Sequence, residues 1–220
     1  MLDVDAQIAA VTRNLRDERV DDERAFVQTL SQSYPSPLDD VWDAVTSGER
    51  IPRWFLPISG DLRLGGRYQL EGNAGGEVLE CAPPQDGSAH YRVTWEYGGG
   101  VTWLAVRLTA VAPEMTTLEL EHTSRESDIP PGFWDQFGPG ATGVGWDGGL
   151  LGLALHLSRR ADLNPEAIPS WAFTDEGRAF YRGAADAWRD AHIAAGAAPD
   201  DAALAADATF GFYTGTTMTE

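Results

Sequence analysis

The sequence is short of several residue types and of long apolar runs. Its 220 residues include three methionines, one cysteine and no lysine. Because Cys81 is the only cysteine, no disulfide can form within the chain. The first 24 residues are charged and lack the apolar core of a signal peptide, and no stretch is suited to span a bilayer. These absences predict a soluble, cytoplasmic protein without an intrachain disulfide.

Positive charge is scarce as well. The chain has 34 acidic residues against 16 basic ones, all arginine, and a formal net charge of −18. Such a surface repels the phosphates of nucleic acids and the headgroups of anionic membranes, so we expect neither as a partner. Arginine-only, alanine-rich and glycine-rich usage is typical of a high-GC bacterial genome.

The strongest helical signal lies in residues 138–160, GPGATGVGWDGGLLGLALHLSRR. Two nearly opposite faces of this helix are apolar: Trp146, Leu150, Leu153 and Leu157 on one, and Val144, Leu151 and Leu155 on the other. We therefore expect it to be buried on both faces, between a sheet and a second layer. Each glycine costs about 1 kcal/mol relative to alanine, which indicates that another element, or a ligand, approaches the backbone closely. Asp147 is expected to cap the helix locally or to make a surface contact.

Shorter patterns predict the elements on either side. Residues 3–22 have apolar side chains at helical spacing and are predicted to form a helix, whereas residues 24–34 are predicted to form a strand. A helix over residues 37–47 follows. From 59 to 123, Gly, Pro, Asn and Asp separate five or six strands at hairpin spacing, which is typical of an antiparallel meander.

The order of these elements predicts an α+β fold, with helices on one side of an antiparallel sheet. Two more helices are predicted after the long one, over 174–195 and from Pro199 onward, and we expect them to cover its second apolar face. The predicted organisation is an N-terminal accessory helix (1–23), a central domain (24–160) and a C-terminal helical extension packing on that domain (161–220).

Five motifs in the central domain resemble those of a known family. In chain order they are VWDAVTSGERIPRWFLP, GDLRLGGRYQLEG, GEVLECAPP, VTWEY and GWDGGLL. Together they resemble the helix-grip fold of the START-like, or SRPBCC, superfamily. Within it they are similar to the family named for the activator of the ATPase of the ninety-kilodalton heat-shock protein. The resemblance implies a curved sheet wrapping the long C-terminal helix, with an apolar cavity between them.

Aromatic residues cluster in the segments that would line such a cavity, where they either fill the core or contact a ligand. The ligand-binding candidates are Trp54, Phe55, Trp95, Trp103, His122, Phe133, Trp134, Trp146 and Leu150. Strand alternation places His122 inward with Leu118 and Leu120. There it is either a core histidine with satisfied hydrogen bonds or a polar handle for a ligand.

Other motifs point to no cofactor, metal or catalytic residue. GPGATG at 138–143 formally matches G-x-G-x-x-G, but no βαβ unit surrounds it, so it is not expected to bind a dinucleotide. The four histidines lack metal-ligand spacing, and no G-x-S-x-G is present.

Three hypotheses of function follow. The first is a binding protein with an apolar cavity for a small hydrophobic or aromatic ligand. The second, implied by the family's name, is a protein-interaction, co-chaperone-like regulator of an ATPase. The third is an enzyme that uses the same cavity, as cyclases and dehydratases of the superfamily do, although we expect no catalysis. The chain is expected to be a monomer or a homodimer.

Overall fold

The computed structural model of the protein describes residues 2–158 and 168–216. Its strands are β1 (Thr12–Val20), β2 (Glu23–Tyr34), β3 (Ile58–Gly60), β4 (Arg67–Leu70), β5 (Gly75–Gln85), β6 (Ser88–Tyr97), β7 (Gly100–Ala112) and β8 (Met115–Arg125). They form one curved antiparallel sheet in the order β1-β2-β8-β7-β6-β5-β4-β3. Pairing of β2 with β8 joins the first hairpin to the meander β3–β8, whose six strands confirm the predicted meander.

The helices are α1 (Val4–Ala10), α2 (Leu38–Thr46), α3 (Phe133–Phe137), α4 (Gly140–Leu157), α5 (Ile168–Trp171), α6 (Asp175–Ala194) and α7 (Pro199–Thr214). Helix α4 confirms the predicted long helix up to Leu157, while residues 159–160 of that prediction lie outside the described ranges. No helix within the described ranges is both long and apolar enough to cross a membrane.

The prediction of one helix over residues 3–22 is wrong. The helix α1 ends at Ala10, and residues 12–20 form β1, which pairs with β2 through a two-residue turn. Asp21 and Asp22 occupy that turn with φ of 53° and 63°, a left-handed conformation that Asp tolerates better than most residues. The buried pair Val11 and Leu15 misled the prediction, because a spacing of four residues also keeps two side chains on one face of an extended chain.

Both apolar faces of α4 are buried, as predicted. Leu150 and Leu153 belong to the core shared with the sheet, while Val144 and Leu151 are equally shielded. Helices α6 and α7 pack against α4 as a second layer. The division into units at residues 23 and 160 stays a prediction.

Two glycines show why α4 tolerates so many of them. A Cβ atom at Gly143 would lie 2.2 Å from the indole ring of Trp188 on α6. At Gly152 it would lie 2.3 Å from the backbone oxygen of Trp54. Real Cβ contacts do not approach so closely, so each glycine is required by a packed neighbour. At these two positions the close approach comes from other elements of the chain.

Candidate ligand-binding cavity

A cavity of about 130 Å³ lies between the sheet and α4. Strands β3 to β8 contribute one wall, α4 contributes a second, and the segment from Val45 to Leu62 closes a third side. An apolar cavity of similar size is large enough for a benzene ring. Cys81 is exposed yet lines the cavity, which places an opening near its side chain.

Five of the nine predicted site residues line this cavity: Trp54, Phe55, Trp95, Trp146 and Leu150. The Trp146 indole is central among them. Its ring lies edge-on to Trp95, with centroids 4.9 Å apart, and is nearly parallel to the ring of Phe55 at 6.2 Å. The aromatic walls therefore meet along the face of α4 that the sequence predicts to point toward the sheet. Ligand binding by these residues stays a prediction.

His122 is buried on the inner face of β8, as strand alternation predicts, but it does not line the cavity. Its Nδ1 accepts a hydrogen bond from Trp146 Nε1 at 2.9 Å, so the ring proton of the neutral imidazole sits on Nε2. Nε2 then donates to the Thr102 hydroxyl at 2.7 Å, and that hydroxyl donates to the backbone oxygen of Trp95 at 3.2 Å. Both ring nitrogens are thus used within the protein.

This hydrogen-bond chain holds His122 neutral. Burial lowers the pKa of His122 to about 4. A protonated ring would also carry a hydrogen on Nδ1, which would oppose the Trp146 donor. His122 is therefore a core histidine with satisfied hydrogen bonds, and its observed action is to orient the Trp146 side chain.

The other three predicted residues lie elsewhere. Trp103 points to the opposite face of the sheet, where the Arg125 guanidinium lies 5.0 Å from its ring centroid. Trp134 stacks on Phe26 of β2, with centroids 3.7 Å apart and planes 14° apart. Phe133 packs against Phe137 within the same short helix, α3. The structure does not bring these three side chains to the cavity.

Sequence reasoning missed four lining residues with reactive or polar atoms: Thr46, Tyr68, Cys81 and Tyr91. Tyr91 follows the same alternation as Val93 and Trp95, so the signal was present. Cys81 had no such signal, because the register of β5 shifts between Val78 and Glu80. Strict alternation from Val78 would turn Glu80 toward the cavity and Cys81 away from it. The register shift turns Cys81 toward the cavity instead.

The polar groups of the lining differ in whether they have a partner, and Trp146 Nε1 donates to the His122 side chain. Three are satisfied by backbone oxygens: Thr46 Oγ1 donates to Trp42 at 2.7 Å, Trp54 Nε1 to Ala44 at 2.9 Å, and the Tyr68 hydroxyl to Thr94 at 2.7 Å. The Tyr91 hydroxyl and Trp95 Nε1 have no hydrogen-bond partner within residues 2–158 and 168–216. None of the described lining residues is charged.

Asp147 lies on the opposite side of α4 from the cavity, and the prediction of a capping or surface role is wrong. Its carboxylate is 1% exposed and pairs with the buried Arg13 of β1, with Nη2 to Oδ1 at 2.7 Å. Trp188 Nε1 of α6 donates to its second oxygen at 2.9 Å. Burial raises the pKa of Asp147, and Arg13 opposes that rise.

We refer to Arg13, Asp147 and Trp188 as the clasp. Arg13 is held further by hydrogen bonds from its Nη1 to the backbone oxygens of Ile8 and Val11. The clasp therefore ties β1, α4 and α6 together at one buried carboxylate. The attraction between the two buried charges offsets part of the cost of removing them from water, whereas loss of one partner would leave the other uncompensated.

Comparison with known proteins identifies a matching family. The family model described as Activator of Hsp90 ATPase homolog 1-like protein matches residues 35–148. That range contains α2, the strands β3–β8 and the start of α4. No functionally curated protein shows significant similarity to the chain.

Solved structures give a similar result. The crystal structure of CalU16 from Micromonospora echinospora is 28% identical and has a TM-score of 0.63, covering 86% of this chain and 99% of CalU16. Its solution NMR structure is 30% identical at a TM-score of 0.66, covering 84% and 97%. EF2215 from Enterococcus faecalis, 14% identical with a TM-score of 0.53 over 82% and 91%, shares the fold alone. The CalU16 match covers 86% of this chain, whereas residues 24–160 make up less than two thirds of it. The match therefore extends into the terminal segments.

Proposed function

The chain belongs to the Activator of Hsp90 ATPase homolog 1-like family, and we propose that it is a binding protein for a small hydrophobic or aromatic ligand. The observation that carries the proposal is the cavity between the sheet and α4. Its walls combine aliphatic side chains with the rings of Phe55, Trp95 and Trp146. Concave, mostly apolar sites with few polar groups are the usual form of small-molecule sites.

The size of the cavity limits what it encloses. Drug-sized ligands occupy pockets of about 300–1,000 Å³, well above the 130 Å³ found here. One aromatic ring or a short branched alkyl group fits inside. A longer molecule would extend through the opening near Cys81, with only one end enclosed.

Two adjacent glycines of α4 allow a matched test. Gly149 lines the cavity, and a Cβ there would make an ordinary contact with Phe55 at 3.7 Å. Gly148 does not line it, and a Cβ there meets nothing within 4 Å. Gly149→Leu should fill the cavity, whereas Gly148→Leu makes the same change in helix propensity and leaves the space open.

The measurement is tryptophan fluorescence titrated with single-ring aromatics, fatty acids and flavonoids. We expect saturable quenching by one class in the wild type and in Gly148→Leu, and at least tenfold weaker binding in Gly149→Leu. Thermal melts establish that both variants fold. Equal binding by both variants would place the ligand outside the cavity. No saturable response to any compound would contradict the proposal.

The alternative is the protein-interaction role in the family's description, activation of an Hsp90-type ATPase. Its specific support is a pair of exposed apolar side chains on α7, Leu204 and Phe212. The test compares the ATPase rate of an Hsp90-type protein alone, with this protein, and with its Leu204→Ser/Phe212→Ser variant. Stimulation that the double substitution abolishes would favour this alternative.

The enzyme hypothesis receives less support from the lining. Among the described residues, no carboxylate or imidazole faces the cavity, so the inward acid–base pair that a cyclase or dehydratase would need is not among them. A cytoplasmic location and a monomeric or homodimeric state stay predictions.

A further inference from the structure

The Tyr91 hydroxyl differs from the other hydroxyl and indole groups around it. Tyr91 is half-buried on β6, and its ring lies edge-on to Trp42 with centroids 6.3 Å apart. Nearby, Tyr68 and Trp54 donate to backbone oxygens within the protein. Tyr91 lines the same cavity, and its hydroxyl has no partner among the described residues. It is therefore free to bond a group that enters the cavity.

The chemistry of this hydroxyl is defined by its surroundings. Burial raises the pKa of Tyr91, so the hydroxyl stays protonated at neutral pH and can both donate and accept a hydrogen bond. A ligand atom that pairs with this hydroxyl gains an interaction that a purely apolar ligand cannot make.

A second free group, Trp95 Nε1, lies on the same strand face. The two residues are four apart on β6, which separates their Cα atoms by about 13 Å. They therefore address different parts of the cavity. Since an indole nitrogen only donates, Trp95 would contact an acceptor, whereas Tyr91 can contact either an acceptor or a donor.

The uncharged lining of the cavity disfavours the binding of ions. The described lining residues carry no charge, and the whole chain has a net charge of −18. An ionised group entering the cavity would lose its hydration without gaining a counter-charge. An anion would also be repelled by the acidic protein surface.

Resting on the proposed function, we propose that the cavity selects a neutral, ring-sized ligand that carries a hydrogen-bonding oxygen or nitrogen, and that Tyr91 recognises that atom. The ring of the ligand fills the part of the cavity that Tyr91 lines. The polar atom of the ligand pairs with the Tyr91 hydroxyl. This pairing makes Tyr91 a specificity-determining residue, whereas the aromatic walls supply affinity for any ring of suitable size.

The test uses phenol and toluene, which have the same number of non-hydrogen atoms and differ in one hydroxyl. Both are titrated by NMR into the wild type, Tyr91→Phe and Tyr68→Phe. We expect the preference for phenol over toluene to fall roughly tenfold in Tyr91→Phe, as expected for one hydrogen bond. Tyr68→Phe also removes a lining hydroxyl, but that hydroxyl already bonds Thr94, so the preference should stay unchanged.

A second pair of probes, benzamide and benzoate, tests neutrality at nearly constant shape. We expect benzoate to bind at least tenfold more weakly than benzamide. Equal binding of the two would overturn the requirement for a neutral ligand.

The outcomes separate this inference from the proposed function. Toluene binding with the same phenol preference in all three proteins would overturn the role of Tyr91 and leave the cavity as an apolar site. Failure of every ring probe, together with failure of the fatty acids and flavonoids, would overturn the proposed function itself. If Tyr91→Phe does not fold, wild-type protein with labelled tyrosine supplies the readout. Phenol, but not toluene, should shift the Tyr91 Cζ signal, and equal shifts by both would refute the inference.

Discussion

The two sides of α4 are built in opposite ways. Toward the sheet, Trp146, Gly149 and Leu150 border a cavity of about 130 Å³, whose lining includes polar groups without a partner among the described residues. Toward α6, Gly143 lies directly against the Trp188 ring, and Asp147 is fully paired within the clasp. One helix therefore separates an incompletely filled region from a closely packed one.

This difference has an energetic meaning. Side chains that border unfilled space make fewer van der Waals contacts than side chains in a closely packed region. The side of α4 opposite the cavity has the closer packing. Functional sites are commonly maintained at some cost in stability. The comparison thus contrasts a loosely filled side of α4, where the proposed function places the ligand, with a closely packed side.

The largest expected effect comes from breaking the clasp. Arg13→Met leaves the Asp147 carboxylate buried without its cation, which should lower the free energy of unfolding by about 3–5 kcal/mol. For a chain of this length, that corresponds to a fall in Tm of roughly 10 °C. The control is Arg107→Met, which removes an exposed pair with Glu119 and should cost at most about 1 kcal/mol. Equal effects in thermal melts would refute a special role for the clasp.

The next largest effect is the loss of stability at acid pH that we expect from His122, on the cavity side of α4. The pKa of His122 is about 4 in the folded protein and about 6.5 in the unfolded chain, so the unfolded state binds more protons between these values. Stability should therefore fall as pH drops from about 6.5 to 4, by up to roughly 3 kcal/mol, and this contribution should then level off.

Urea unfolding at pH 7, 6 and 5 measures this dependence. The slope against pH should be smaller in His122→Asn than in the wild type, because the substituted side chain has no titrating group. Parallel slopes would mean that other groups cause the acid sensitivity. Since Trp146 donates to His122, the tryptophan fluorescence of the folded wild type should change only near pH 4, where His122 protonates in the folded protein.

The smallest expected effect is the difference in stability between Gly→Ala substitutions at two positions of α4. Gly143→Ala forces a Cβ into the Trp188 ring and should destabilise the protein by about 1–3 kcal/mol. Gly149→Ala adds only an ordinary contact beside the cavity and should stabilise it by up to about 1 kcal/mol through helix propensity. Opposite signs in urea unfolding would confirm the difference between the two sides. Equal signs would contradict it.

Local patterns predicted much of this architecture. The 3.6-residue period of α4 identified both of its buried faces, and its Trp146 and Leu150 were correctly placed toward the cavity. Alternation along β8 placed His122 inward. These features depend on neighbours in sequence, which is why periodicity is informative about them.

The errors arose where long-range contacts decide the outcome. Asp147 was predicted to cap the helix or to make a surface contact, because nothing near it in sequence indicates that Arg13 reaches it from β1. Trp134 and Phe133 lie in a segment without regular alternation, so their direction could not be derived. Trp103 could have been excluded from the sequence. Leu104 lines the cavity, and adjacent residues of a strand point to opposite faces of the sheet. The volume of the cavity depends on how the segment around Phe55 closes against α4, a tertiary property that no local pattern contains.

The clasp also sets an order of events during protein synthesis. Arg13 and Asp147 are 134 residues apart, so a ribosome that adds about 5–20 residues per second needs roughly 7–27 seconds to supply the partner. Trp188 follows 41 residues later. Throughout that interval the hairpin of β1 and β2 has no place to bury its guanidinium and must keep it hydrated. The N-terminal hairpin therefore completes its docking only after α4 and α6 have been translated, and until then chaperones and proteases have access to it.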